Sequence, residues 1–140
     1  MINILAVENN RKVASQIYAA LSDKSRYHLA VVESGYTAME AIGQKHFHLI
    51  IIGRDLAYMN GLKTAQKIRS ILGSDTTPFV ISAPQLSREE IEEFLPTGVF
   101  DIWEAPLSIQ RIRLTADMAA DWRSKNDNLL SYEEYLERNR

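Results

Sequence analysis

Leu49–Ile52 is an unbroken apolar run that stops at Gly53, and the first side chains able to do chemistry after it are Arg54 and Asp55. A strand buried on both faces of a parallel sheet tends to carry its chemistry just past its carboxyl end. Gly53 offers no side chain there, and Asp55 offers a carboxylate two residues further on. At the other strand-like ends stand Glu8 and Asn9 after Ile2–Val7, Ser82 closing Pro78–Ser82, and Ala105 shortly after Val99–Trp103. Carboxylates are hard oxygen ligands.

Other chemistries find no support. Neither G-x-x-x-x-G-K-[ST] nor G-x-G-x-x-G follows the first strand, and its loop, ENNRKV, contains no glycine, which argues against a nucleotide phosphate cradle. A flavin phosphate needs a small, hydroxyl-rich turn at that place, where Glu8 brings negative charge instead. The absence of cysteine excludes disulfides, thiolate catalysis and zinc–sulfur sites. His28, His46 and His48 lack the spacing of a metal-ligand set and read as surface or strand-edge residues.

The elements that must position these residues alternate strictly. Strand-like runs occur at Ile2–Val7, His28–Val32, Leu49–Ile52, Pro78–Ser82 and Val99–Trp103. Helical spacing occurs at Arg11–Leu21, Thr37–Gln44, Leu62–Leu72, Arg88–Leu95 and Ser108–Ser124. Ser87 and Glu90 fit a capping box, and Ser108 fits an N-cap. Asn60-Gly61 reads as a turn into the third helix that uses tolerance of positive φ. Five βα units with short connections imply right-handed crossovers. The fold expected is a doubly wound (βα)5 α/β domain, flavodoxin-like, with a five-stranded parallel sheet.

At 140 residues the chain suits one domain, over 1–124, followed by a helical tail or the start of a connector over 125–140. A net charge of −2 gives no pull toward nucleic acid or anionic membrane. No apolar stretch reaches the roughly 20 residues needed to span a bilayer, and MINILAVENN lacks a basic start, so a cytoplasmic location is expected.

Five stretches in order resemble the receiver domain of bacterial two-component response regulators: ILAVENN at 4–10, ESGYTAMEAI at 33–42, HLIIIGRDLAYMNGL at 48–62, TPFVISA at 77–83 and GVFDIWEAPL at 98–107. The resemblance implies an acidic pair after the first strand, an aspartate phosphoacceptor ending the third, a magnesium ion held by carboxylates, a switch hydroxyl, a lysine before a proline and an aromatic switch residue. Matched one by one, the acidic pair is Glu8 and Asn9, the acceptor position is Gly53, the hydroxyl is Ser82, the lysine position is Ala105 and the aromatic position is Ile102. The chain thus looks like a degenerate pseudo-receiver lacking the phosphoacceptor.

Without an acidic cluster, a lysine at 105 would be a buried unpaired charge, so Ala105 agrees with the other losses. Magnesium binding is expected to be weak or absent, with Glu8 and Asp55 the weak candidates as ligands. Glu8 alternatively reads as an acid placed for the dipole of the first helix, and Ser82 as a hydroxyl bonded to backbone. Gly53→Asp alone is expected not to restore normal phosphorylation, and Asn9→Asp, Gly53→Asp and Ala105→Lys together have a better chance.

What remains is surface. SREEIEEFL, the fourth helix, carries five charged residues, and Ile102, Trp103, Arg111, Arg113 and Trp122 mark the fifth strand and helix as a candidate interface, with Asp117 and Asp121 beside them. Arg and Trp are favoured interface anchors. In the tail, Ser131 and Glu134 fit a capping box, and Tyr132, Tyr135 and Leu136 form a short apolar stripe that either folds back or leads onward. The expected function is a phosphorylation-independent signalling and protein-interaction module, not an enzyme. Its partner is a signalling protein or a second copy. The alternative is a divergent receiver using Asp55 as a displaced phosphoacceptor.

Overall fold

The computed structural model describes residues 1–73, 75–122 and 132–138, with the side chains of 120–122, 132, 133 and 138 outside that description. Strands β1 (Ile2–Val7), β2 (Tyr27–Val32), β3 (Leu49–Gly53), β4 (Phe79–Ala83) and β5 (Val99–Glu104) alternate with helices α1 (Arg11–Ala20), α2 (Gly35–Gln44), α3 (Gly61–Leu72), α4 (Arg88–Phe94) and α5 (Ile109–Trp122). A 3-10 turn at Leu95–Thr97 follows α4, and a short α6 covers Tyr132–Arg138. All five strands are parallel, in the order β2-β1-β3-β4-β5.

The period of two along each strand sorts the core into two layers. Leu5, Val7, Ile50, Ile52, Phe79, Ile81 and Ile102 meet Ala38 of α2, Ala65 and Ile68 of α3, and Ile91 and Phe94 of α4. Ile4, Ala6, Leu49, Ile51, Val80 and Trp103 meet Ile17 and Ala20 of α1, and Ile112, Ala116 and Ala119 of α5. The apolar runs at β3 and β4 are buried at every residue because both faces are covered by helices.

Caps set the helix starts. The Ser87–Glu90 capping box is present, and Ser108 accepts from Arg111 N at 3.2 Å. Helix α2 begins two residues earlier than its spacing predicts, because Ser34 and Thr37 form a second capping box. Asn60 is the N-cap of α3 and accepts from Lys63 N. Gly61 is needed for a different reason than expected: a Cβ there would lie 2.2 Å from Gly53 O, so α3 starts in contact with the end of β3. The left-handed residue of that loop is Tyr58, at φ 70° and 94% exposed.

Candidate functional site

Parallel register brings the carboxyl ends of β1, β3, β4 and β5 together, with Val7 beside Ile52, Gly53 beside Ser82 and Ser82 beside Trp103. A cleft of about 380 Å³ opens above them. Glu8, Asn9, Asp55, Ser82 and Ala105 all line it, so five of the six positions singled out in the sequence share one site. Gly53 lies behind Glu8. A Cβ built on Gly53 would fall 1.9 Å from Glu8 Oε2, which occupies the space that a side chain at 53 would take.

This placement decides the role of Glu8. Asn10, not Glu8, caps α1, accepting from Lys12 N at 3.0 Å and Val13 N at 3.2 Å. Glu8 is 7% exposed, and its Oε2 has no hydrogen-bond partner. Burial, with a smaller repulsion from Asp55, pushes its carboxyl up from 4.5 to about 7. Burial thus outweighs the lowering that a helix N-terminus gives a nearby acid, and the cap itself is Asn10. Ser82 is buried at the wall of the same cleft.

Asp55 is held from the side. Arg54 Nε and Nη2 each donate to it at 3.0 Å, in a bidentate pair, while Arg54 Nη1 donates to Gln85 O at 2.6 Å and Glu90 Oε2 at 3.2 Å. One guanidinium therefore joins the loop after β3 to the loop after β4 and to α4, and the bond to Asp55 raises its affinity for the proton above the ordinary arginine value. Among the described residues no three His, Cys, Asp or Glu side chains converge, and the oxygen that Glu8 buries is turned under Gly53.

The candidate interface is rearranged by packing. Ile102 and Trp103 are each 2% exposed and belong to the two core layers, which corrects the expectation that they meet a partner. Trp103 Nε1 donates to the buried Asp101 at 3.0 Å, and Arg111 reaches the same carboxylate through Nε at 3.1 Å and Nη2 at 2.7 Å. Arg111 is thus the counter-ion of an interior acid, not a free anchor. Arg113 is exposed on α5 while its Nε donates to Ala20 O at 2.8 Å. Asp117 accepts from Arg26 and from Tyr27. The side chains of Asp121 and Trp122 lie outside the described residues.

Helix α5 shows outward side chains that composition alone did not single out: Leu114 and Met118, 60% and 48% exposed and one turn apart. Helix α6 folds back, burying Tyr135 in the layer that holds Leu86, Ile91, Phe94 and Ile102. Tyr135 Oη donates to Glu104 Oε1 at 2.9 Å, and Glu104 Oε2 accepts from Leu86 N at 3.0 Å. Ser131, the expected cap of this helix, lies outside the described residues. Of the histidines, His48 Nδ1 accepts from Asn3 N at 2.9 Å, and His28 meets Lys45 Nζ at 2.8 Å.

The sequence pattern defining the response regulator receiver domain matches residues 4–117. The chain belongs to the response regulator receiver domain family. This receiver is 27% identical over 118 residues to the transcriptional regulatory protein ZraR of Escherichia coli K12, covering 84% of this chain and 26% of that protein. It is 24% identical over 111 residues to the signal transduction histidine-protein kinase BarA of the same strain, covering 79% of this chain and 12% of that one.

Among solved structures, it superposes on the receiver domain of the Francisella response regulator 1452 with a TM-score of 0.76 at 22% identity, covering 89% and 100% of the two chains. Vibrio cholerae chemotaxis protein CheY4 gives 0.76 at 19%, covering 85% and 98%. These similarities establish the flavodoxin-like receiver fold. The receiver spans about a quarter of the length of the curated regulators it matches. No helix among the described residues is long and apolar enough to cross a membrane.

Proposed function

We propose that this receiver works as a phosphorylation-independent protein-interaction module, a pseudo-receiver without enzymatic activity of its own. The observation that carries the reading is the joint state of Gly53 and Glu8: the acceptor position has no side chain, and the space beside it is filled by a carboxyl oxygen. Asn9 and Ala105 add to it, because Asn9 removes an anionic ligand beside Glu8 and Ala105 removes the cation that could meet a phosphoryl group. Magnesium binding is correspondingly weak or absent.

Asp55 is the one alternative acceptor. Its carboxylate lines the cleft, but both oxygens are engaged by Arg54. An attack on phosphorus would first have to release that pair, and a misplacement of about 1 Å already costs ~100-fold in rate.

The docking surface is placed at α4, β5 and α5, where Leu114 and Met118 are exposed on α5 and Arg113, whose Nε holds Ala20 O of α1, is exposed next to Leu114 in sequence. Its occupant is a signalling protein or a second copy of this chain, in the cytoplasm, with neither nucleic acid nor membrane as partner. The net charge of −2 agrees with the last two exclusions. Binding of a partner isolated from the native host tests the reading. Affinity should be unchanged by an acyl phosphate donor and by Ser82→Ala, and should fall by about 1–3 kcal/mol for Leu114→Asp or Arg113→Glu. Affinity that depends on the donor and ignores the α5 variants would overturn it.

A further inference from the structure

Helix α6 is seven residues long, and a helix shorter than roughly 12–15 residues is marginal in water by itself. Its helical form is therefore supplied by what it lies against. Of its described side chains, Glu134, Leu136 and Glu137 are exposed, and Tyr135 alone is buried, at 8% exposure. One ring is the anchor. An element held through so little buried surface opens at a lower cost than the sheet beneath it.

The seat of that ring has a defined chemistry. Tyr135 enters the layer that holds Leu86, Ile91, Phe94 and Ile102, and its hydroxyl donates to Glu104 Oε1 at 2.9 Å. Glu104 is fixed from its other side, where Oε2 accepts from Leu86 N at 3.0 Å. With α6 lifted, α4 and β5 would present carbon bounded by a carboxylate oxygen that has lost its donor. Carbon beside a fixed acceptor selects an aromatic ring that ends in a donor, which is a tyrosine side chain. Burial and the Glu104 carboxylate push the Tyr135 hydroxyl up to about 12, so the donor keeps its proton at neutral pH. An amphipathic helix laid on an apolar groove through a few anchors is a general mode of recognition.

We propose that the surface of α4 and β5 beneath Tyr135 is a docking site for a helix presenting a tyrosine side chain, with α6 as its resident occupant until a partner helix takes its place. The affinity of such a partner is reduced by the fraction of chains in which α6 is seated. Glu104 sets the specificity by accepting from the incoming hydroxyl. The inference deepens the docking-surface reading above and rests on it in placing a partner at α4 and β5.

The probe is an unlabelled peptide of residues 127–140, added to the isotope-labelled full chain carrying Tyr135→Ala while backbone amide resonances are followed. Saturable shifts are expected at Leu86, Ile91, Ile102 and Glu104, moving toward their positions in the parent chain. The parent chain should bind the peptide at least about tenfold more weakly, because its own α6 holds the seat. A Tyr135→Ala peptide should not bind, and a Tyr135→Phe peptide, which keeps the ring and loses the bond to Glu104, should bind about tenfold more weakly than the parent peptide. Hydrogen exchange on the parent chain gives a second measurement that needs no variant. The Leu136 and Glu137 amides, corrected for intrinsic rates, should exchange at least about 100-fold faster than Ile81 of β4. A Tyr135→Ala chain that fails to fold, or α6 amides that exchange only as fast as Ile81, would overturn the proposal by making α6 a fixed part of the core. So would a peptide that gives no saturable shift or shifts another face, equal binding by the parent chain, or equal binding of either altered peptide. Failed exchange leaves the effect of the α5 variants on partner affinity as the test of the docking reading, and a mass gain from a phosphodonor would overturn the pseudo-receiver reading while leaving peptide exchange intact.

Discussion

Replacing Glu8 by glutamine should change not only stability but its dependence on pH. The carboxyl is pushed from 4.5 to about 7, chiefly by burial. Below pH 4.5 folded and unfolded chains both hold the proton, and the residue adds no pH dependence. Between pH 4.5 and about 7 the unfolded chain has released the proton while the folded chain keeps it, so raising the pH favours unfolding. Above about 7 both are ionised, and the loss reaches its limit of ~3 kcal/mol, at about 1.4 kcal/mol per pH unit. Glutamine keeps the shape of the protonated acid and cannot ionise. Urea unfolding of both proteins, followed by circular dichroism between pH 4.5 and 8, should therefore show Glu8→Gln gaining ~3 kcal/mol relative to the parent across that window. A difference that stays constant within about 1 kcal/mol over the whole range would refute the burial of an unpartnered carboxyl at this site.

Arg111→Ala should cost roughly 3–5 kcal/mol in the same unfolding assay, because it strands the buried Asp101 without its bidentate partner; a loss under 1 kcal/mol would return Arg111 to the list of surface anchors. Gly53→Ala should destabilise the parent, since the new Cβ meets Glu8 Oε2, and should be tolerated better beside Glu8→Ala. A double-mutant cycle on these two positions should give a coupling of about 1 kcal/mol or more, and additive effects would contradict the contact. Restoration of phosphorylation should require Glu8→Asp in addition to Asn9→Asp, Gly53→Asp and Ala105→Lys. The triple variant that keeps Glu8 should show much less phosphoprotein by mass, and equal labelling of the triple and quadruple variants would show that Glu8 moves aside freely.

The order of elements was legible in the sequence because periods of two and 3.6 separate cleanly here. Buried strands such as Leu49–Gly53 are short, apolar and β-branched, while the helices between them carry charge on one side. Helix starts were legible where one side chain makes the cap, as at Ser87, and were missed at α2, where Thr37 completes a box that the usual Glu or Gln would have signalled. The membership of the cleft could be read as well, since the ends of parallel strands converge by topology.

What the sequence could not give is where a long side chain goes once it is there. Glu8 differs from aspartate by one methylene, and only the fold reveals that this reach ends in the space vacated at Gly53. The same limit explains Trp103 and Arg111. Both belong to residue types that anchor interfaces, yet the alternation of β5 points Trp103 inward and the buried Asp101 recruits Arg111. Leu114 and Met118 were overlooked for the opposite reason, because an apolar residue on a helix is by default assigned to the core.

The central claim is that the cleft no longer accepts a phosphoryl group, and intact mass measures that directly. The full chain is incubated with an acyl phosphate and magnesium beside a receiver that retains its acceptor aspartate, and both are weighed before the adduct can hydrolyse. The account predicts no adduct on this chain while the control gains about 80 Da, the mass of one phosphoryl group. A gain of about 80 Da on this chain that disappears in Asp55→Asn would contradict it and establish Asp55 as a displaced acceptor.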